Sequence, residues 1–139
     1  MKKLKASIAV LFALLFVNIA VASPEAAAEA ALTRYFDALS QGNVITLRSL
    51  MAGELLTKRS PLLDNPTYPT FLINTYGNAS FQINTVKSLS PSTVTINASI
   101  IFDQNDISQR QYLLRKDTSS NLTPSFRIYD DRRQEISNH

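Results

Sequence analysis

The chain has 139 residues, 14 of them basic and 11 acidic, for a formal charge of +3, and it contains no cysteine. Without cysteine there are no disulfide staples, thiolate metal sites or thiol nucleophiles. The one histidine is His139, the final residue, so a Ser-His-Asp triad or histidine-supported zinc site would rest on the chain end. Three glycines, at 42, 53 and 77, cannot assemble a phosphate-binding loop, and no metal or cofactor is expected.

At the amino end Lys2, Lys3 and Lys5 precede an apolar run over residues 8–22 that closes on Ala20-Val21-Ala22. A basic start, roughly fifteen apolar residues where a spanning helix needs roughly twenty, and small residues two apart predict a signal peptide over 1–22, cleaved after Ala22. An uncleaved anchor helix is the alternative reading of the same run. With no cysteine after it for lipid attachment, the expected product is a soluble periplasmic or secreted bacterial protein, free of the membrane. Its loss removes three lysines, so the 14 basic residues become 11, equal to the 11 acidic ones. Nucleic-acid binding draws on a clustered surplus of Lys and Arg and is not expected of a neutral chain.

The remaining 117 residues suit one domain, read here as 23–131 with a frayed tail over 132–139. Ser23-Pro24-Glu25 is a helix opening: a capping hydroxyl, a proline where its missing N–H is harmless, and an acid at the positive end of the dipole. Ala28, Ala31, Leu32, Tyr35, Phe36 and Leu39 then recur at helical spacing. Gly42 ends this helix, and Asn43 caps another in which Val44, Leu47, Leu50 and Met51 share a face. Residues 53–69, with Pro61, Pro66 and Pro69, read as an irregular connector. Asn65 and Pro66 open a third helix running to Tyr76, with Phe71 and Leu72 on its buried side and Tyr68 and Tyr76 as further candidates for it.

After Gly77 the apolar period falls to two. Residues 81–85 alternate, and the phase shift at Val86 and Leu89 predicts a bulge or strand end. Residues 93–102 form the clearest strand, with Val94, Ile96, Ala98, Ile100 and Phe102 on one face. A turn at 103–106 leads to a strand over 109–116, and a last one covers 126–130. Asp103 and Asp106 span a turn that favours aspartate, and Asp130-Asp131 beside Arg132-Arg133 reads as solvated local pairing. Helices followed by an antiparallel meander make an α+β fold.

The stretch "YFDALSQGN" answered by "LRSLMA", followed by a helix and a curved meander, resembles the nuclear transport factor 2-like superfamily, which includes ketosteroid isomerases and SnoaL-like cyclases. The resemblance implies a cystatin-like cone of N-terminal helices packed on a bent antiparallel sheet. Arg34-Tyr35 matches an arginine-tyrosine pair of the isomerases, whose tyrosine donates to the developing oxyanion. Continued without a gap, the position of their aspartate base falls on Arg59, beside Lys58. An arginine stays protonated and cannot take a proton from carbon, so the enzymatic version needs Glu54 or Asp64 brought into that place.

A cone of this kind can be hollow or filled. If hollow, its expected lining is Tyr35, Phe36, Leu39 and Phe71 from the helices and Tyr76, Phe81, Ile96 and Phe102 from farther on, walls that suit a small apolar ligand. The opposite sheet face, with Gln82, Asn84, Thr95, Asn97 and Ser99, is too polar for an obligate interface and predicts a monomer or weak homodimer. The reading is therefore a non-catalytic binding or protein-interaction module, with a cofactor-free isomerase, cyclase or hydrolase using Tyr35 and Glu54 or Asp64 as the alternative.

Overall fold

The computed structural model describes residues 23–117 and 125–134. The expected signal peptide, His139 and the segment 118–124 lie outside the described residues. Four helices come first, α1 (Pro24–Gln41), α2 (Val44–Leu50), α3 (Gly53–Leu63) and α4 (Tyr68–Tyr76). Four strands follow, β1 (Ser80–Ser90), β2 (Thr93–Asp103), β3 (Asp106–Asp117) and β4 (Ser125–Arg133). The strands pair antiparallel in the order β1-β2-β3-β4, so the protein is α+β, with its N-terminal helices packed on a curved open sheet.

Ser23 caps α1 by accepting from the Ala26 N–H at 3.2 Å, and Ala28, Leu32, Tyr35, Phe36 and Leu39 are buried on its sheet-facing stripe. At the other end Gly42 has φ +64°, a left-handed conformation that lets the Asn43 N–H reach the Ala38 carbonyl at 2.9 Å. A side chain there would also strike the Pro69 carbonyl, 2.6 Å from an ideal Cβ. Asn43 then caps α2 through the Thr46 N–H. The glycine is therefore both the hinge between two helices and the place where α4 approaches most closely.

The expected connector over 53–69 is corrected: its first part is helix α3, which buries Leu55 and Leu63. Pro61 sits inside this helix. Its missing N–H deprives the Thr57 carbonyl of a partner only two residues before the helix ends, a smaller loss than in a helix centre. The third expected helix also starts later than Asn65. Asn65 Oδ1 accepts from the N–H and hydroxyl of Thr67 in a turn, and α4 begins at Tyr68. Its inward stripe is Tyr68, Leu72 and Tyr76, four residues apart. Phe71 lies off that stripe and is 56% exposed, stacked on Tyr68 at 5.9 Å, so its expected burial is overturned.

The sheet's inner face carries Val94, Ile96, Ala98, Tyr112, Leu114 and Ile128, all fully buried against α1. Its outer face is polar, with Asn84 donating to Ser99 and Ser99 donating to Gln109. A register shift between Ile83 and Thr85 is the bulge foreshadowed by the phase change in β1. Another separates Leu113 paired with Asp130 from Leu114 paired with Ile128, leaving Tyr129 as an extra residue in β4. Strict alternation from Phe126 and Ile128 would send Asp130 inward. The extra residue reverses the phase, and Asp131, opposite Tyr112, points inward instead. Pairing continues through Arg132 and Arg133, so the expected frayed tail begins as sheet. The outer edge of β4 is met by the α2–α3 junction, where Met51 bridges Ile128 and the Ala52 N–H donates to the Ile128 carbonyl.

Candidate functional site

Tyr35 lies in the middle of α1, where its helical phase aims the ring at β3, and Tyr112 receives it edge-on with centroids 6.1 Å apart. Beside them Phe36 stacks on Phe81 at 4.4 Å and meets Tyr112 at 5.7 Å, closing the core on one side. On the other side the packing opens into a chamber of about 250 Å³. Four of the chain's five tyrosines, Tyr35, Tyr68, Tyr76 and Tyr112, share its wall. Leu39, Ile100 and Phe102 supply apolar surface, and Ser108 a hydroxyl.

The charged part of the wall is Asp131, Arg110 and Arg59. The Asp131 side chain is 7% exposed, and its Oδ1 accepts from Arg110 Nε at 2.8 Å and Nη2 at 2.6 Å. Arg59 of α3 approaches Oδ2 more loosely, with Nη2 at 3.8 Å. The bulge at Tyr129 turns the acid inward, and Arg110, two residues before Tyr112, shares the same strand face. Burial raises the Asp131 carboxyl above its ordinary value, and the two arginines offset only part of that rise. For Arg110 burial pulls the other way, but Asp131 outweighs it and leaves the guanidinium's pKa raised.

The phenols are held neutral. Burial, with Asp131 adding its charge, pushes the Tyr35 hydroxyl well above its ordinary value. The same cause raises Tyr76 and Tyr112. Tyr112 is fully enclosed, and its hydroxyl makes no hydrogen bond of ordinary geometry, although Arg110 is near enough to influence its proton affinity. A buried hydroxyl so weakly satisfied is uncommon.

Of the eight residues expected to line a cavity, Tyr35, Leu39, Tyr76 and Phe102 do so. Phe36, Phe81 and Ile96 fill the adjoining core instead, and Phe71 faces outward. Neither carboxylate considered as a base shares the chamber. Glu54, on the solvent side of α3, lines an open groove of about 530 Å³ with Lys58, Arg115, Tyr129 and Arg132. Asp64 pairs with Arg48 on the exposed surface. Arg34 lies on the outward side of α1, so the Arg34-Tyr35 pair is split between two faces. Arg59, in the place aligned with the isomerase base, lines both groove and chamber, as Asp131 does.

Sequence reasoning missed Arg110, Tyr112 and Asp131. Arg110 and Tyr112 are two apart in a strand, a spacing that does mark a shared face, but no sequence signal locates the bulge that brings Asp131 to them. The pairing of Asp131 is corrected accordingly, since its carboxylate is buried and bound to Arg110 rather than solvated beside Arg132; Arg132 pairs with Asp130. Among the described residues no three or more His, Asp or Glu side chains gather as metal ligands, and no helix is long and apolar enough to cross a membrane. No protein-family model matches the chain, and no curated protein does either.

Proposed function

We propose that the protein is an exported, soluble binding module of the nuclear transport factor 2-like fold that holds a small ligand in the chamber behind Tyr35 without transforming it. The observation that carries this reading is the convergence of four of five tyrosines on one recess, together with a charged pair. The accessible lining of the recess is mainly polar, with apolar side chains beside it, and such a recess gives a small ligand fixed groups to orient on. Four helices followed by a curved meander, with α1 across the sheet, support the family resemblance.

Binding is preferred to catalysis because the acid is already engaged. A general base needs a lone pair aimed at the substrate, whereas Asp131 Oδ1 is held twice by Arg110 and Oδ2 faces Arg59. A panel of small aromatic compounds screened by thermal shift tests the reading, with Ser108→Trp as a variant that fills the chamber. Compounds that raise the Tm of the wild type should lose their effect in the filled variant. An effect that survives the filling, or a panel without any effect, refutes the chamber as a binding site.

A second reading has one specific observation in its favour: Tyr35 and an acid of raised pKa do face the same chamber, the acid being Asp131 in place of Glu54 or Asp64. In that version Tyr35 polarises a carbonyl oxygen while Asp131 Oδ2 takes the proton from the neighbouring carbon. Ring opening of a nitrobenzisoxazole, which needs only a base and releases a coloured phenolate, separates the two. Binding alone leaves the rate at background, while a rate that Asp131→Asn abolishes establishes proton transfer. The polar outer sheet face supports a monomer or weak dimer, to be checked by sedimentation.

A further inference from the structure

We propose that the ligand of this chamber is a small planar carboxylate, bound through Arg59; the inference rests on the reading above that the chamber holds a ligand at all. It begins from an imbalance in the wall. The polar residues that line the chamber are four tyrosines, Ser108, Arg59, Arg110 and Asp131, of which the Tyr112 hydroxyl is itself enclosed. A guanidinium only donates hydrogen bonds, and a hydroxyl can donate one. The single obligate acceptor is Asp131, and Arg110 already occupies its Oδ1. A guest rich in acceptors therefore fits this wall, while any donors it carries would turn to the hydroxyl lone pairs.

Charge points the same way. With neutral phenols, two guanidiniums against one carboxylate leave the wall with one uncompensated positive charge. That charge belongs to Arg59. Arg110 is matched by Asp131 at 2.6 Å, whereas Arg59 has, among the described residues, only the 3.8 Å contact and keeps 35% of its side chain exposed. An arginine so placed can exchange a weak contact for the two parallel hydrogen bonds that a carboxylate accepts. Asp131 is the like charge that such a guest would meet, and Arg110 screens it from behind. Outside, the groove that shares Arg59 carries Lys58, Arg115 and Arg132 against Glu54 and Asp130, so the approach does not repel an anion.

Size and shape narrow the class. About 250 Å³ lies below the usual range of roughly 300–1,000 Å³ for drug-sized ligands and suits one ring with its substituents. Tyr76 and Phe102, with centroids 5.7 Å apart and rings tilted by 42°, give it two aromatic side chains to pack against. Each of these features is separately ordinary; together they describe a flat, acceptor-bearing monoanion.

Benzoate and its neutral counterpart benzamide are the probes, titrated calorimetrically into the purified protein, with inorganic phosphate as the control for simple ion binding. Benzoate is expected to bind at least about tenfold tighter than benzamide, the size of effect one charge-assisted bidentate contact supplies. Arg59→Gln should erase that preference while leaving the fold intact by circular dichroism, and Arg59→Lys should restore part of it. Equal binding of the two probes, a preference that survives Arg59→Gln, or competition by phosphate as strong as by benzoate overturns the carboxylate assignment and leaves the chamber as a binding site. Failure of both probes to bind, in a folded protein, removes the binding reading itself.

Discussion

Asp131 shows how a single side chain can be costly and yet retained. Its burial raises the carboxyl above the ordinary value of 3.8 despite Arg110, so the folded state holds the proton more tightly than the unfolded chain. Its contribution to stability is then full at acid pH, below the unfolded value, and declines as pH rises through the raised folded value. Urea unfolding should therefore show the advantage of wild type over Asp131→Asn shrinking as pH climbs from about 4 towards neutrality. An advantage that grows instead would mean that the arginine pair outweighs burial. Tyr112 offers the complementary case. Its hydroxyl is enclosed with no more than a distorted contact to Arg110, and removing a poorly satisfied buried group relieves part of a desolvation penalty of about 1–3 kcal/mol. Tyr112→Phe is accordingly expected to unfold at equal or higher urea concentration than wild type. A loss of stability would reveal a hydrogen bond at that hydroxyl.

At the level of elements, the joint between α1 and α2 depends on Gly42. Gly42→Ala forces a left-handed backbone on a residue with a Cβ, a cost of about 1–2 kcal/mol, and drives that carbon to 2.6 Å from the Pro69 carbonyl. The same denaturation assay should show at least that loss, and an unchanged midpoint would mean that α4 moves away freely. This joint, the stripe of α1 and the strand phase of β2 were legible because each rests on local chemistry: a cap, a glycine, a period. Helix α3 was not, because Pro61 reads as a breaker until its position near the helix end is known. Phe71 was placed inside because it is apolar and adjoins Leu72, but about 100° of turn per residue carries it off the stripe that Tyr68, Leu72 and Tyr76 share. The acid of the site was hidden by the bulge at Tyr129, which inverts inside and outside for everything after it. A bulge is decided by what the strand packs against, and here that neighbour is Gly53, where a Cβ would lie 3.0 Å from the Tyr129 ring.

For the molecule as a whole, one continuous core joins the first helix to the last strand. Leu32 is fully buried in it, and Leu32→Ala should cost about 2–5 kcal/mol. The accompanying fall in Tm of several degrees per kcal/mol, expected for a domain near this size, can be read by calorimetry. Those losses are large against a total of about 5–15 kcal/mol for ordinary domains. The chamber sits at the seam of the two ends of the chain, with Tyr35 supplied early and Asp131 near the finish. A polypeptide cut short before residue 131 keeps its tyrosines but leaves the part-buried Arg110 guanidinium without its carboxylate, a loss that weakens the packing of its strand. Completing the chain and closing the recess are thus one event. Nibbling by a carboxypeptidase past Asp131 would open the interior at the recess, making the state of that wall a measure of intactness.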